Sequence, residues 1–286
     1  MKFANYDGRA VLTDGHKAVY VADASNGKFE DDPERIFGQW DEFATWAAGV
    51  DTSAGFDIDV SRLDAPSPRP RQVFAIGLNY AEHAKESGID LPPEPAVFTK
   101  FPASVTGANT TLELPTDTVD FETELVAVIG RTAHRVAEEA AWDYVAGLTV
   151  GQDISERTRQ LLGPAPQFCL GKSFPGFSPT GPWLVTPDEF ENRDGLRLGC
   201  SINGNVMQEA NTDDLIFSVA RLVSKLSDVV PLLPGDLIFT GTPSGVGGAR
   251  KPPVYLRDGD VLTTWVDGIG TITSTCRTGT PYPTQA

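Results

Sequence analysis

Five dipeptides restrict this chain more than any other feature: Asp7-Gly8, Asp14-Gly15 and Asn26-Gly27 near one end, Asp258-Gly259 and Asp267-Gly268 near the other. Two-residue turns of this type need positive φ at their central positions. Between short apolar runs they therefore predict hairpins. Ala10-Val11-Leu12 and Ala18 to Ala22 supply such runs, so a small β layer is expected at the start. From Pro33, the helical spacing of Ile36, Trp40, Phe43, Ala44 and Ala47 predicts one amphipathic helix before Gly49. Between Asp64 and Arg71, the prolines 66, 68 and 70 remove donors and restrict φ, so this stretch reads as a linker. The expected division is a small N-terminal α+β domain over 1–66 and a larger domain over 67–286.

Beyond the linker, Leu125 to Ile129, Ala146 to Val150 and Leu237 to Thr240 read as strands, rich in branched or aromatic residues. Helices are expected over Val136 to Tyr144, and after a cap at Asp213 or Asp214, where Leu215, Val219, Leu222, Val223 and Leu226 share a face. Strands and helices do not alternate regularly, which argues against a doubly wound sheet. The expected class is mainly β with some α, a mixed β-sandwich roll.

The net charge of −16 argues against nucleic acid and anionic lipid as partners. No run approaches the roughly 20 apolar residues of a membrane helix. The first 20 residues show no signal-peptide pattern, so a cytoplasmic location is expected. Cys169, Cys200 and Cys276 form no closely spaced pair and read as core filling. Imidazole chemistry has three candidates, His16, His83 and His134.

Chemistry concentrates in Asp120-Phe121-Glu122-Thr123-Glu124-Leu125-Val126-Ala127-Val128-Ile129. On a strand, Glu122 and Glu124 project from one face together with Val126 and Val128. Two carboxylates beside apolar neighbours repel each other unless a cation or donor compensates them. The alternative is a solvated strand face entering the core at its far end. Asp153 ends the next expected strand, in the place of either a third carboxylate of the group or a helix cap before Ser155. An all-oxygen set of Glu122, Glu124 and Asp153 suits a hard ion, Mg²⁺ or Mn²⁺.

Six segments in order then resemble the fumarylacetoacetate hydrolase family: Asn79 to Glu86, Glu122-Thr123-Glu124, Asp153 to Arg157, Gly171-Lys172-Ser173-Phe174 with Gly181-Pro182-Trp183, Asn203-Gly204 with Gln208, and Gly241 to Val246. The likeness covers roughly 72–278. It implies a Mg²⁺- or Mn²⁺-dependent enzyme, usually a homodimer, acting on small 2-oxo acids. The metal ligands would fall on Glu122, Glu124 and Asp153, and the acid/base pair on His83 and Glu86. Arg157 and Gln160 would meet the substrate, Lys172 would support catalysis, and Thr242 would hold the substrate carboxylate. The implied reaction is hydrolysis of the C3–C4 bond of a 2,4-dioxo acid to pyruvate and a carboxylic acid. Oxaloacetate decarboxylation and 2-hydroxymuconate-type isomerisation or tautomerisation are the alternatives. His83 and Glu86, three apart, are within reach on a helical turn, and Tyr80 to Pro95 reads as a lid over the site.

Overall fold

The computed structural model describes residues 1–82 and 93–280. Its largest sheet runs in the order Phe56–Asp57, Lys17–Tyr20, Arg9–Thr13, Lys2–Tyr6, Ser178–Val185, Val145–Gln152, Thr123–Ile129, Leu237–Phe239, Val73–Gly77, Ala96–Thr99. Leu63–Asp64 joins it through Lys2–Tyr6, and Val105–Thr106 through Ser178–Val185. A second sheet runs Asn205–Asn211, Arg197–Ile202, Val261–Val266, Gly270–Thr278, Asn109–Leu114. Val119–Asp120 and Ser155–Glu156 form a short third one. Several mixed sheets with few helices match the expected class.

The strand Thr123–Ile129 shows how this arrangement follows from its residues, every one of which is buried. Leu125, Ala127 and Ile129 face the second sheet and share a core with Leu198, Val266 and Ile272. Val126 and Val128 point the opposite way, into a core with Phe3, Phe239 and the helix residues Ile36, Phe37, Trp40 and Phe43. A strand covered on both faces needs a continuous apolar run, which Leu125 to Ile129 supplies. A third core, including Phe121, Ile154, Phe177 and Leu256, lies near the strand's start.

The first hairpins form as the turns predict: Lys2–Tyr6 pairs with Arg9–Thr13, which pairs with Lys17–Tyr20. Asn26-Gly27 does not make a hairpin. The strand ends at Tyr20, Val21–Ala24 is helical, and Gly27 N–H closes that turn on the Ala22 carbonyl. At the other end, Asp267-Gly268 joins Val261–Val266 to Gly270–Thr278, whereas Asp258-Gly259 only leads into the former strand. Asn203-Gly204 forms the additional hairpin, between Arg197–Ile202 and Asn205–Asn211.

The helix expected after Pro33 is two helices, Pro33–Phe37 and Trp40–Ala47, because the backbone leaves helical geometry at Gln39. The later helix is Val219–Val229, capped by Ser218, which accepts from Arg221 N–H. Asp213 and Asp214 belong to a preceding 3₁₀ turn. The Val136 to Tyr144 segment is also 3₁₀, over Glu138–Tyr144. The proline-bearing stretch 65–72 holds no helix or strand, yet Ala65, Pro66 and Ser67 are buried. Among the described residues, no helix is long and apolar enough to cross a membrane.

Candidate active site

Antiparallel pairing brings the acids together. Thr123 lies opposite Gln152 and Glu124 opposite Gly151, so the start of one strand sits beside the end of its neighbour. Glu122 immediately precedes the first strand and Asp153 immediately follows the second. The Asp153 N–H donates to the Glu122 carbonyl at 2.9 Å. A side chain at Gly151 would strike Val126 and Phe239, since a Cβ there lies 2.4 Å from Val126 Cγ2. Close approach of these strands therefore requires glycine opposite Glu124.

One oxygen each from Glu122, Glu124 and Asp153 lies within 4.8 Å of the others, and all three residues are buried. Like charges this close are tolerable only with compensation. Lys172 Nζ supplies part of it, donating to Glu122 Oε2 at 2.8 Å, Asp153 Oδ2 at 2.7 Å and Ser155 Oγ at 2.8 Å. Lys100 Nζ donates to Asp153 Oδ1 at 2.5 Å and also to the Lys172 carbonyl. Arg157 Nη2 bridges Asp120 Oδ2 at 2.7 Å and Glu122 Oε1 at 2.8 Å, while its Nη1 donates to Gln160 Oε1.

Burial opposes the charge on Lys172, but Asp153 and Glu122 outweigh it and hold the ammonium above its ordinary range. Arg157 is raised in the same way, with burial outweighed by Glu122 and Asp120. Lys100 is lowered, because burial and the neighbouring Lys172 prevail over Asp153. Glu124 differs from the other carboxylates. Among the described residues it meets no side-chain cation at ion-pair distance, and its Oε2 accepts from Gly241 N–H at 2.7 Å. Burial first, then Asp153 and Glu122, push its pKa well above that of an ordinary glutamate.

Among the described residues, four buried carboxylates, Asp120 included, thus crowd around Lys100, Arg157 and Lys172, and Glu124 is the one that no cation meets. The oxygen-only donor set of Glu122, Glu124 and Asp153 fits a hard divalent cation.

A cavity of about 360 Å³ opens beside the acids. Glu122, Arg157, Gln160, Lys172 and Thr242 supply its polar wall, and Ile76, Phe98, Phe168 and Tyr255 part of its apolar wall. A larger cavity, about 450 Å³, lies by Leu12, Ala44 and Thr186 and holds none of these groups.

Of the residues singled out in the sequence, Glu122, Glu124, Asp153, Arg157, Gln160, Lys172 and Thr242 therefore converge. The helix-cap alternative for Asp153 does not hold, since Glu156 caps the helix Arg157–Gln160. His83, Glu86 and most of the expected lid lie outside the described residues. Before them, buried Asn79 accepts from Phe217 N–H and donates to the Phe217 and Thr240 carbonyls, tying this segment to the end of Leu237–Phe239.

Sequence reasoning passed over two charged residues. Asp120 had a legible signal, because it continues the alternation of Glu122 and Glu124 by two. Its oxygens accept from Phe121, Gly247 and Gly248 N–H and from Arg157. Lys100 had none, since Thr99-Lys100-Phe101 reads like any surface lysine following an edge strand.

The family profile "Fumarylacetoacetate (FAA) hydrolase C-terminal" matches residues 72–277. A Mycobacterium smegmatis protein provisionally named HpcE superposes with a TM-score of 0.93 at 49% identity, over 98% of this chain and 100% of that one. "Oxaloacetate tautomerase fahd2, mitochondrial" of Xenopus laevis is 40% identical over 214 residues, 74% of this chain and 67% of the relative. Maleylpyruvate hydrolase from Sphingobium sp. SYK-6, solved with manganese (II) ion and pyruvate, superposes with a TM-score of 0.80 at 26% identity, over 98% of this chain and 100% of that one.

Proposed function

The chain belongs to the fumarylacetoacetate hydrolase family, and from that premise we propose that it moves a proton at the carbon beside the 2-oxo group of a small dicarboxylic 2-oxo acid. Keto–enol tautomerisation of an oxaloacetate-type substrate is the reaction in view. The observation that carries the reading is Lys172: a buried ammonium, held charged by Glu122 and Asp153, on the wall of a cavity. An enolate oxygen forming there meets positive charge on a buried side chain, where it is worth more than in bulk water. The likeness to an oxaloacetate tautomerase over 74% of this chain supports this choice.

Mg²⁺ or Mn²⁺, held by Glu122, Glu124 and Asp153, supplies charge neutralisation and polarisation of the substrate's oxygens when bound. The protein's own groups do the rest. Arg157 and the Thr242 hydroxyl orient the substrate carboxylate. All three N–H donors of Lys172 are occupied, by Glu122, Asp153 and Ser155. It reaches a substrate oxygen by releasing Ser155, the neutral and hence weakest of the three acceptors. His83, with Glu86 as the acid/base partner that the family likeness implies, is the base that takes the proton from one end of the enol or keto form and returns it to the other.

A second reading is the C3–C4 hydrolysis of a 2,4-dioxo acid. It is favoured by the Asn79 to Glu86 segment and by the likeness to maleylpyruvate hydrolase. There the same His83 and Glu86 activate water. Oxaloacetate and acetylpyruvate, each assayed with Mn²⁺, separate the two. Loss of enol absorbance from oxaloacetate without pyruvate, abolished in His83→Ala, is the expected result. Pyruvate and acetate from acetylpyruvate move the assignment to the hydrolase. Neither activity, with Mn²⁺ bound, overturns both.

A further inference from the structure

The segment Asn203-Gly204 to Gln208 stood out in the sequence, yet the chemistry above leaves Gln208 without a task. The side chain is buried, on the strand Asn205–Asn211 of the second sheet, and reaches across to the first. Its Oε1 accepts from the Thr123 N–H at 2.9 Å and from Cys200 Sγ at 3.4 Å. Its Nε2 donates to Thr242 Oγ1 and to the Pro243 carbonyl, both at 2.9 Å. Two donors and two acceptor sites are all that a primary amide has, so its capacity is spent. The orientation is chemically forced. Reversal would set the amide NH₂ against the Thr123 N–H and the amide oxygen against the Pro243 carbonyl.

The two ends of this amide touch the two halves of the site. Thr123 lies between Glu122 and Glu124, so the held N–H fixes the backbone from which both carboxylates project. Thr242 lines the cavity. The loop also sits directly on the Gln208 strand. At Gly245, where φ is +102°, a Cβ would lie 2.6 Å from the Met207 carbonyl and 3.4 Å from Gln208 Cγ. Glu122 N–H is held by a second buried amide, Gln152 Oε1 at 2.8 Å, but Gln152 is anchored on Thr264 and not on the loop. The loop meets the acid strand directly where Gly241 N–H donates to Glu124 Oε2 at 2.7 Å, and the Gln208 amide adds a side-chain link between Thr242 and the Thr123 backbone.

We propose that Gln208 is a positioning residue coupling the loop Gly241–Gly245 to the acid strand, so that what Thr242 binds is felt at Glu122 and Glu124. The proposal rests on the reading of Glu122, Glu124 and Asp153 as a divalent-cation site. Coupling between two sites is reciprocal, so a change confined to the loop must alter cation affinity at the strand.

The test is a double-mutant cycle of Thr242→Val and Gln208→Met in the full chain. It reads Mn²⁺ affinity by the spin resonance of free Mn²⁺, and oxalate affinity of the Mn²⁺-saturated protein by calorimetry. Thr242→Val, which removes the hydroxyl that accepts from Gln208, is expected to weaken Mn²⁺ binding about tenfold, in the range for groups that orient ligands without touching the ion. Thr242→Ser, which keeps the hydroxyl, restores it. In the Gln208→Met background, Thr242→Val adds no further Mn²⁺ loss, and Gln208→Met itself weakens oxalate about tenfold.

Unchanged Mn²⁺ affinity in Thr242→Val overturns the coupling, as do losses that multiply in the double variant. If Gln208→Met does not fold, the comparison of Thr242→Val with Thr242→Ser decides alone. Wild-type protein that binds no Mn²⁺ defeats the cation reading. The coupling is then judged on melting temperature, where independent losses at the two residues overturn it.

Discussion

Buried acid stands at both ends of the strand Thr123–Ile129. Glu122, Glu124 and Asp153 gather at its start, and Asp236 lies at its finish, where the Asp236 carbonyl accepts from Ile129 N–H. Burial raises the pKa of Asp236 as it does that of Glu124. The compensation is different. Asp236 is surrounded by neutral donors: Gln72 N–H at 2.9 Å, Gln72 Nε2 at 2.7 Å and Leu233 N–H at 2.7 Å. It closes a turn. At the other end, ammonium and guanidinium groups meet crowded carboxylates beside a cavity, and Glu124 has only a backbone N–H among its described partners. Burial of an acid therefore does not itself mark function. Crowding of like charge, compensated by cations and open to a cavity, does.

The largest expected effect comes from removing the cation that separates the two ends in kind. Lys172→Met is expected to lower turnover about 10²- to 10³-fold. It should also destabilise the metal-free protein by about 3–5 kcal/mol, since Glu122 and Asp153 lose a buried partner. Steady-state kinetics and urea unfolding read the two losses. A fully active Lys172→Met would make the two ends equivalent.

Next in size is the response to Mn²⁺. At a concentration about 100 times its Kd, the ion should stabilise the wild type by about 2.7 kcal/mol. Glu124→Gln should remove most of that gain while raising the stability of the metal-free protein, because an uncompensated buried charge is gone. Thermal melts with and without Mn²⁺ measure both. Asp236→Asn serves as the control from the other end. It should cost about 1.5–3 kcal/mol in stability, the range for a hydrogen-bonded charged group, and leave turnover unchanged.

The smallest effect is in pH. The folded pKa of Glu124 lies above its unfolded value, so the stability of its protonated form is complete below the unfolded pKa and is lost as pH rises through the folded one. Metal-free protein should lose up to about 1.4 kcal/mol per pH unit across that window. Mn²⁺ affinity should rise with pH over the same window, because the ion displaces the proton. Glu124→Gln should flatten both slopes. A flat slope in Asp236→Asn with the wild-type slope retained in Glu124→Gln would reverse the assignment.

Much of the site was legible from the chain because two periodicities act locally. Alternation along a strand put Glu122 and Glu124 on one face and marked Val126 and Val128 as core. The position of Asp153 after a strand, and the order of six segments, completed the set. Two turn dipeptides misled, because an Asn-Gly or Asp-Gly pair specifies positive φ but not what precedes it. Asn26-Gly27 serves a helix end, and Asp258-Gly259 a loop. Gly38-Gln39 likewise divided a periodic run that sequence reads as one helix.

By itself, then, the sequence determined the β-rich class, the apolar strand buried on both faces, and the carboxylates that must be compensated. These depend on side-chain alternation and turn stereochemistry, which act over a few residues. Only the tertiary structure decided what compensates them. Lys100, Arg157 and Lys172 approach from separate segments, and Gln208 arrives from another sheet. Such partners are chosen by the low dielectric of the buried site, where an unpaired charge or amide is costly, whatever the distance along the chain.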